Sequence, residues 1–174
     1  GAMIIPGILL FILFNSKYRK TFLEIWPYLG VLLSLLVFTP FIIWNHQNDW
    51  INFQFQFNIR TQNDRIAFEN VLSYLLSFFG VYTPIIGGLL LVVIFRNLYA
   101  PAVDYEVHET TKESISFLTW LHIGVLGSYL LLSIRHPFGA HWLAFLQPLS
   151  AILLAHFLIQ LKNQPVLFKW FSGI

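Results

Sequence analysis

Residues 27–44 read PYLGVLLSLLVFTPFIIW, a stretch of eighteen residues without a charged side chain. A helix of about 20 mainly apolar residues is long enough to cross the roughly 30 Å hydrocarbon layer of a membrane. Because unpaired backbone groups are very costly in lipid, such a stretch is expected to be helical. The stretch therefore predicts a transmembrane helix.

Three further segments have the same apolar character. They are residues 71–95, 115–134 and 142–161, and two shorter apolar pieces, 4–14 and 166–174, lie outside them. The whole chain is 57% hydrophobic and 10% charged, with a mean hydropathy of +0.68, whereas soluble domains contain about 25% charged residues. We therefore expect an all-α, polytopic transmembrane helical bundle with about four complete spans and two truncated ones.

The ends of the chain suggest a part of a larger protein. Gly1, Ala2 and Met3 look like a cloning remnant, and residues 4–14 and 166–174 look like interrupted spans. Residues 4–174 are accordingly predicted to be the transmembrane part of a larger protein. The absence of cysteine excludes disulfides and thiolate catalysis. The ten Lys and Arg are dispersed along the chain, so that no basic face for nucleic acid is expected.

Loop charges predict the orientation of the chain. Positive residues concentrate on the cytoplasmic side of membrane proteins. Seven of the ten Lys and Arg fall in loops 15–20 and 96–114 and after residue 161, and the alternate side carries three: Arg60, Arg65 and Arg135. Loops 15–20 and 96–114 are therefore predicted to be cytoplasmic, and loops 45–70 and 135–141 external.

Between residues 50 and 59, apolar and amide side chains alternate strictly. A period of two is the signature of a strand, but an isolated strand is not stable in lipid, so the segment is expected at the membrane interface. It is either extended or a distorted interfacial helix. It serves either as an aromatic belt or, together with Arg60, as one side of a polar cleft.

The second external stretch is a short turn that holds Arg135, His136 and His141. The planar guanidinium donates two parallel hydrogen bonds and stays charged, which suits a phosphate group. The alternative is that Arg135 only extends to lipid headgroups. The spacing of His136 and His141 fits no compact metal motif, so no metal or other cofactor is expected.

Three polar side chains lie inside the predicted spans: His122, Gln147 and His156. Polar groups are costly in a membrane unless they are paired or face a cavity. They are too few to form a proton relay, and we expect them to make hydrogen bonds between helices.

Three motifs occur in a recognisable order: PFIIWNHQNDWINFQFQFNIR at 40–60, FFGVYTPIIGGLL at 78–90 and SIRHPFGAHW at 133–142. Together they resemble the bacterial membrane glycosyltransferases with the GT-C fold, which are related to protein O-mannosyltransferases and to lipid A aminoarabinose or galacturonic acid transferases. The resemblance implies an enzyme of the bacterial inner membrane. It would move a sugar from a polyprenyl-phosphate donor to a lipid, glycan or protein acceptor on the external face, in contact with membrane lipids.

The resemblance also implies a set of residues for the donor phosphate and the substrate. Arg135 is the foremost of them, and the others are Arg60, His141, His136, Asn45 and Trp142.

Two features depart from the family pattern. The acidic catalytic residue of the family belongs to the first external loop, and nothing in this sequence matches it, so no catalytic residue is assigned. Leu143 stands where the family has a proline. The alternative function is a non-enzymatic membrane module, either a transporter part or a lipid-binding scaffold, whose polar loops act only as interface anchors.

Overall fold

The computed structural model describes residues 3–55, 68–99, 108–136 and 139–162, and every regular element within these ranges is helical. Their α-helices are α1 (Ile4–Phe14), α2 (Trp26–Gln47), α3 (Ile51–Gln54), α4 (Phe68–Tyr82), α5 (Pro84–Tyr99), α6 (Glu109–Ser133) and α7 (Gln147–Lys162). Short 3₁₀ helices, Arg19–Leu23 and Ala140–Leu146, precede α2 and α7. The predicted all-α bundle is confirmed.

Three of the described helices are long and apolar enough to cross a membrane. They are Trp26–Gln47, Glu109–Ser133 and His141–Leu161, the last of which combines most of the second 3₁₀ helix with α7. They coincide with the spans predicted at 27–44, 115–134 and 142–161. The chain is therefore a multi-pass membrane protein.

The span predicted at 71–95 is not one helix. It consists of α4 and α5, which meet at an angle of 101°. Pro84 has no N–H, so it cannot donate to the carbonyl of Gly80 in the preceding turn. Thr83 has a φ of 61°, in the left-handed region that an α-helix of L-residues cannot continue through. The pair forms a broken span or a re-entrant segment. Counted as one span, it brings the number of spans among the described helices to four.

The alternating segment that follows α2 begins as a helix. Asp49 and Trp50 have positive φ values of 51° and 57°, and α3 starts directly after them. The Trp50 N–H donates to the carbonyl of Asn45 at 2.7 Å, and the Gln54 side chain donates to the carbonyl of Asp49 at 2.6 Å. The strand interpretation is wrong for residues 51–54, because a helical turn satisfies its own backbone and a lone strand does not. Residues 56–59 lie outside the described residues.

α1 runs antiparallel along α6 at very short range. A Cβ atom added to Gly124 would lie 2.3 Å from the Cα of Gly7, so the two glycines let the backbones touch. One turn further along α1, the ring of Phe11 packs edge-on against Phe117, with centroids 5.2 Å apart. The interface depends on having no side chain at the crossing point.

A polar contact closes the same interface at the end of α1. The Tyr18 hydroxyl donates to Oε2 of Glu113 at 2.7 Å, and the Lys17 ammonium group forms an ion pair with Oε1. The hydrogen bond to Glu113 raises the pKa of Lys17 above its ordinary value. The Lys17 loop and the start of α6 thus lie at the same end of the bundle, as the loop-charge prediction requires.

The buried core is formed by α4, α5, α6, α7 and the second 3₁₀ helix. Its most deeply buried apolar side chains are Leu90, Val93, Val125, Leu143, Leu146 and Leu153. α2 contributes little to this core: it mainly contacts the first 3₁₀ helix and α3, and nearly all of its side chains are exposed.

The glycine crossing gives a direct test of the fold. Gly124→Ala should destabilise the protein by about 1–3 kcal/mol, because the new methyl group overlaps Gly7. Gly127→Ala is the matched control on the same helix, since a Cβ there meets nothing within 4 Å. Unfolding of both variants by denaturant in detergent micelles measures the difference, and equal stabilities would contradict the close crossing.

Candidate functional site

The predicted phosphate-binding turn follows directly after α6. The backbone N–H groups of Arg135 and His136 both donate to the carbonyl of Leu132, at 3.2 and 3.0 Å. The Arg135 side chain is exposed, and among the described residues no hydrogen bond or ion pair engages its guanidinium. Within the described part of the chain, its donors are therefore open to a ligand at the end of the span.

A cluster of aromatic rings lies at the start of the second 3₁₀ helix. The ring of Trp142 packs against Tyr129 of α6 at 5.7 Å between centroids, and His141 meets Trp142 edge-on at 6.0 Å. The backbone N–H of Trp142 donates to the carbonyl of Gly139 at 2.9 Å. A Cβ atom added to Gly139 would lie 2.9 Å from the His141 ring. Gly139 thus permits the tight turn that brings the two rings together.

Asn45 has a different surrounding from the other predicted site residues. It is fully buried where α2 ends, and its Nδ2 donates to the carbonyl of Phe41 at 2.9 Å. Its Oδ1 is buried and has no hydrogen-bond partner among the described residues. The structure places Asn45 in the last turn of α2, and no described hydrogen bond joins it to Arg135, His136 or His141. Arg60 lies outside the described residues.

The histidines of these turns do not belong to a metal-binding cluster within the described residues. In the part of the chain that the structure describes, no group of three or more His, Asp and Glu side chains is arranged to hold a metal ion.

A second polar group lies in the interior, between α4, α6 and α7. Oγ of Ser150 lies 2.9 Å from Nε2 of His122 and 3.0 Å from the hydroxyl of Tyr82. Nδ1 of His122 lies 2.7 Å from the carbonyl of Leu118, which only accepts, so Nδ1 carries the ring proton. The Tyr82 hydroxyl donates to Oγ of Ser150, and the one Ser150 proton is shared between two acceptors at 2.9 Å, Nε2 of His122 and the carbonyl of Leu146. We call Tyr82, His122 and Ser150 the buried triad.

Gln147 stabilises the break between α4 and α5. Its Nε2 donates to the carbonyl of Val81 at 3.2 Å, in the last turn of α4 directly before the break. The expected interhelical bonds of His122 and Gln147 are confirmed. The hydrogen bond described for His156 is to Gln160 of the same helix.

Sequence reasoning missed two members of the buried triad. Serine in a membrane helix usually bonds to a carbonyl of its own helix, and Ser150 indeed donates to the carbonyl of Leu146 at 2.9 Å. One signal was available: Gln147 and Ser150 are three residues apart, so they occupy one face of α7.

No protein-family model, curated protein or solved structure matches this chain.

The buried triad predicts an asymmetry between two serines. Ser150→Ala leaves the Tyr82 hydroxyl and Nε2 of His122 without their shared partner, which should cost about 1–3 kcal/mol of stability. Ser128→Ala is the control, because that hydroxyl donates only to a carbonyl of its own helix, and we expect a change within about 0.5 kcal/mol. Denaturant unfolding in micelles measures both variants. A Ser150→Ala protein as stable as the control would show that the triad contributes nothing.

Proposed function

We propose that this chain is the transmembrane part of a membrane glycosyltransferase of the bacterial inner membrane. It moves a sugar from a polyprenyl-phosphate donor to a lipid, glycan or protein acceptor on the external face. The observation that carries the proposal is Arg135 at the end of α6, whose side chain is exposed and makes no hydrogen bond or ion pair with the described residues. It lies within the motif SIRHPFGAHW, which resembles GT-C transferases.

The position of Arg135 fits the chemistry of such a donor. α6 ends at Ser133, so the guanidinium lies where a membrane-spanning helix leaves the hydrocarbon layer. A polyprenyl phosphate keeps its chain in that layer and its phosphate at the surface. The guanidinium forms two parallel hydrogen bonds to a phosphate and never loses its charge.

The neighbouring side chains complete the environment of a phosphate-linked sugar. His136 and His141 offer ring nitrogens on either side of the turn, and Trp142, held against Tyr129, offers an aromatic face. These groups can hold the polar part of the donor beside Arg135. This arrangement supports a binding role for all three residues.

The catalytic effect of Arg135 follows from where charge develops. When the bond between the sugar and the phosphate oxygen breaks, negative charge accumulates on the leaving phosphate. A fixed positive group at that place stabilises the transition state more than the ground state. The acidic residue that would deprotonate the acceptor is not assigned to this chain.

The proposed orientation rests on the charged end opposite Arg135. Lys17 pairs with Glu113 at the start of α6, whereas Arg135 follows the end of the same helix. With the Lys17 end in the cytoplasm, Arg135 and His141 are external.

The rival function is a non-enzymatic membrane module. Its support is the same exposure of Arg135, because a free guanidinium at the end of a span also anchors a helix to lipid headgroups. The two functions predict different results when the charge of Arg135 is removed. Sugar transfer falls if the chain belongs to a transferase, whereas a membrane module has no such reaction to lose.

For the donor-phosphate role, we expect Arg135→Ala in the full-length enzyme to lower sugar transfer about 100-fold, as the loss of one transition-state contact typically does. Arg135→Lys should restore only part of the rate, because a point charge lacks the planar fork. Lys20→Ala is the control, since Lys20 is an exposed cation at the opposite end of the bundle. Sugar transfer is measured at saturating donor, and a wild-type turnover of Arg135→Ala would reject the proposal.

Single cysteines test the orientation, because the chain has none of its own. Asn48→Cys should react with an impermeant thiol reagent added to spheroplasts, and Thr110→Cys should react only after the membrane is opened. Both positions are exposed at the ends of described helices. Labelling of Thr110→Cys alone in closed spheroplasts would reverse the topology.

A further inference from the structure

A groove lies at the break between α4 and α5, where the broken segment faces α7. Its volume is about 280 Å³, and its lining includes Tyr82, Thr83, Ile86, Gln147, Ala151 and Leu154. A cavity of about 150 Å³ already holds a benzene-sized molecule. The groove therefore has room for a small head group and part of one aliphatic chain.

The groove lies near the middle of the membrane. Its Ser150 is bonded to His122, which is close to the centre of α6. Ala151 is at the midpoint of the span His141–Leu161, and Thr83 is at the midpoint of the bent pair. An ionised head group at such a depth is costly. The occupant is therefore a neutral molecule.

Two polar groups of the groove keep free hydrogen-bonding capacity. Gln147 donates through Nε2 to Val81, and its Oε1 has no partner among the described residues. Oγ1 of Thr83 accepts from the N–H of Ile86 at 3.4 Å, which leaves its own proton to donate. The groove thus offers one acceptor and one donor. A hydroxyl group, which both donates and accepts, matches this pair.

The remaining walls are apolar and exposed on the outside of the helices. The Ile86 side chain is 45% exposed, and Ala151 is exposed on α7 and leaves space because it is small. Among the described residues, no Lys, Arg, Asp or Glu lines the groove. An aliphatic chain can therefore enter sideways from the bilayer and lie against Ile86 and Leu154.

We propose that this groove binds a long-chain alcohol: a single-chain amphiphile whose neutral hydroxyl bonds to Gln147 and Thr83. The site is distinct from the Arg135 turn, which lies past the end of α6 and offers a positive charge. Binding in the groove does not depend on the proposed glycosyltransferase activity.

The test uses the full-length protein in lipid nanodiscs and a long-chain alcohol that carries a photoreactive diazirine and an alkyne tag. Cross-links should map to residues 81–86 or 147–154. Ala151→Trp fills the groove and should lower cross-linking by about tenfold, the effect of about 1.4 kcal/mol in binding. Ala155→Trp is the matched control, because Ala155 is exposed one turn further along α7 and does not line the groove.

A second pair of variants covers the possibility that one substitution disturbs folding. Ile86→Trp blocks the opposite wall, whereas Ile85→Trp adds the same ring at a position that is 83% exposed and outside the groove. Only variants with wild-type helical circular dichroism and unfolding midpoint are compared. Equal labelling of each pair would overturn the proposal.

Competition identifies the head group. Untagged alcohol should displace the probe, and a fatty acid of the same chain length, ionised at pH 8, should compete at least about tenfold more weakly. A fatty acid that competes as well as the alcohol would show that the site does not select a neutral hydroxyl, and the proposal would fail.

Discussion

Inside a bilayer, every backbone polar group must find its partner within the protein, and this requirement governs the fold. Most of the chain meets it by forming helices. The one break in the described spans lies at Thr83 and Pro84, and Pro84 has no N–H to donate to the carbonyl of Gly80. Beside this break, the side-chain amide of Gln147 donates a hydrogen bond from α7 to the carbonyl of Val81. A single polar side chain on α7 thus makes a sharp bend compatible with lipid.

Around this bend, hydrogen bonds between helices add to the apolar packing of the buried core. The buried triad connects α4, α6 and α7 through Ser150, which takes part in hydrogen bonds to both other members. α1 is attached in another way, by the contact of Gly7 with Gly124 and by the Glu113 contacts beyond it. Close backbone approach and interhelical hydrogen bonds are the interactions that remain effective between membrane helices.

The two sites inferred here differ in depth, and their chemistry follows from that difference. Arg135 lies past the end of a span, where water and phosphates are present and a permanent charge is tolerated. The groove beside Thr83 lies near the membrane centre and contains only neutral donors and acceptors. The two proposals accordingly assign a charged donor to the surface of the chain and a neutral amphiphile to its interior.

The amino-acid sequence by itself determined the all-helical class, three of the spans, and the interhelical roles of His122 and Gln147, because apolar length and the cost of buried polar groups are local properties. It did not reveal the bend: residues 71–95 contain no charged side chain, and a proline in a membrane helix is compatible with either a kink or a break. The alternation of apolar and amide side chains suggested a strand after Trp50. Residues 51–54 instead form a helical turn, because a helical turn satisfies its own backbone hydrogen bonds. Only the tertiary structure decided that Tyr82 and Ser150 share a hydrogen-bond network, since that depends on how α4, α6 and α7 meet in space.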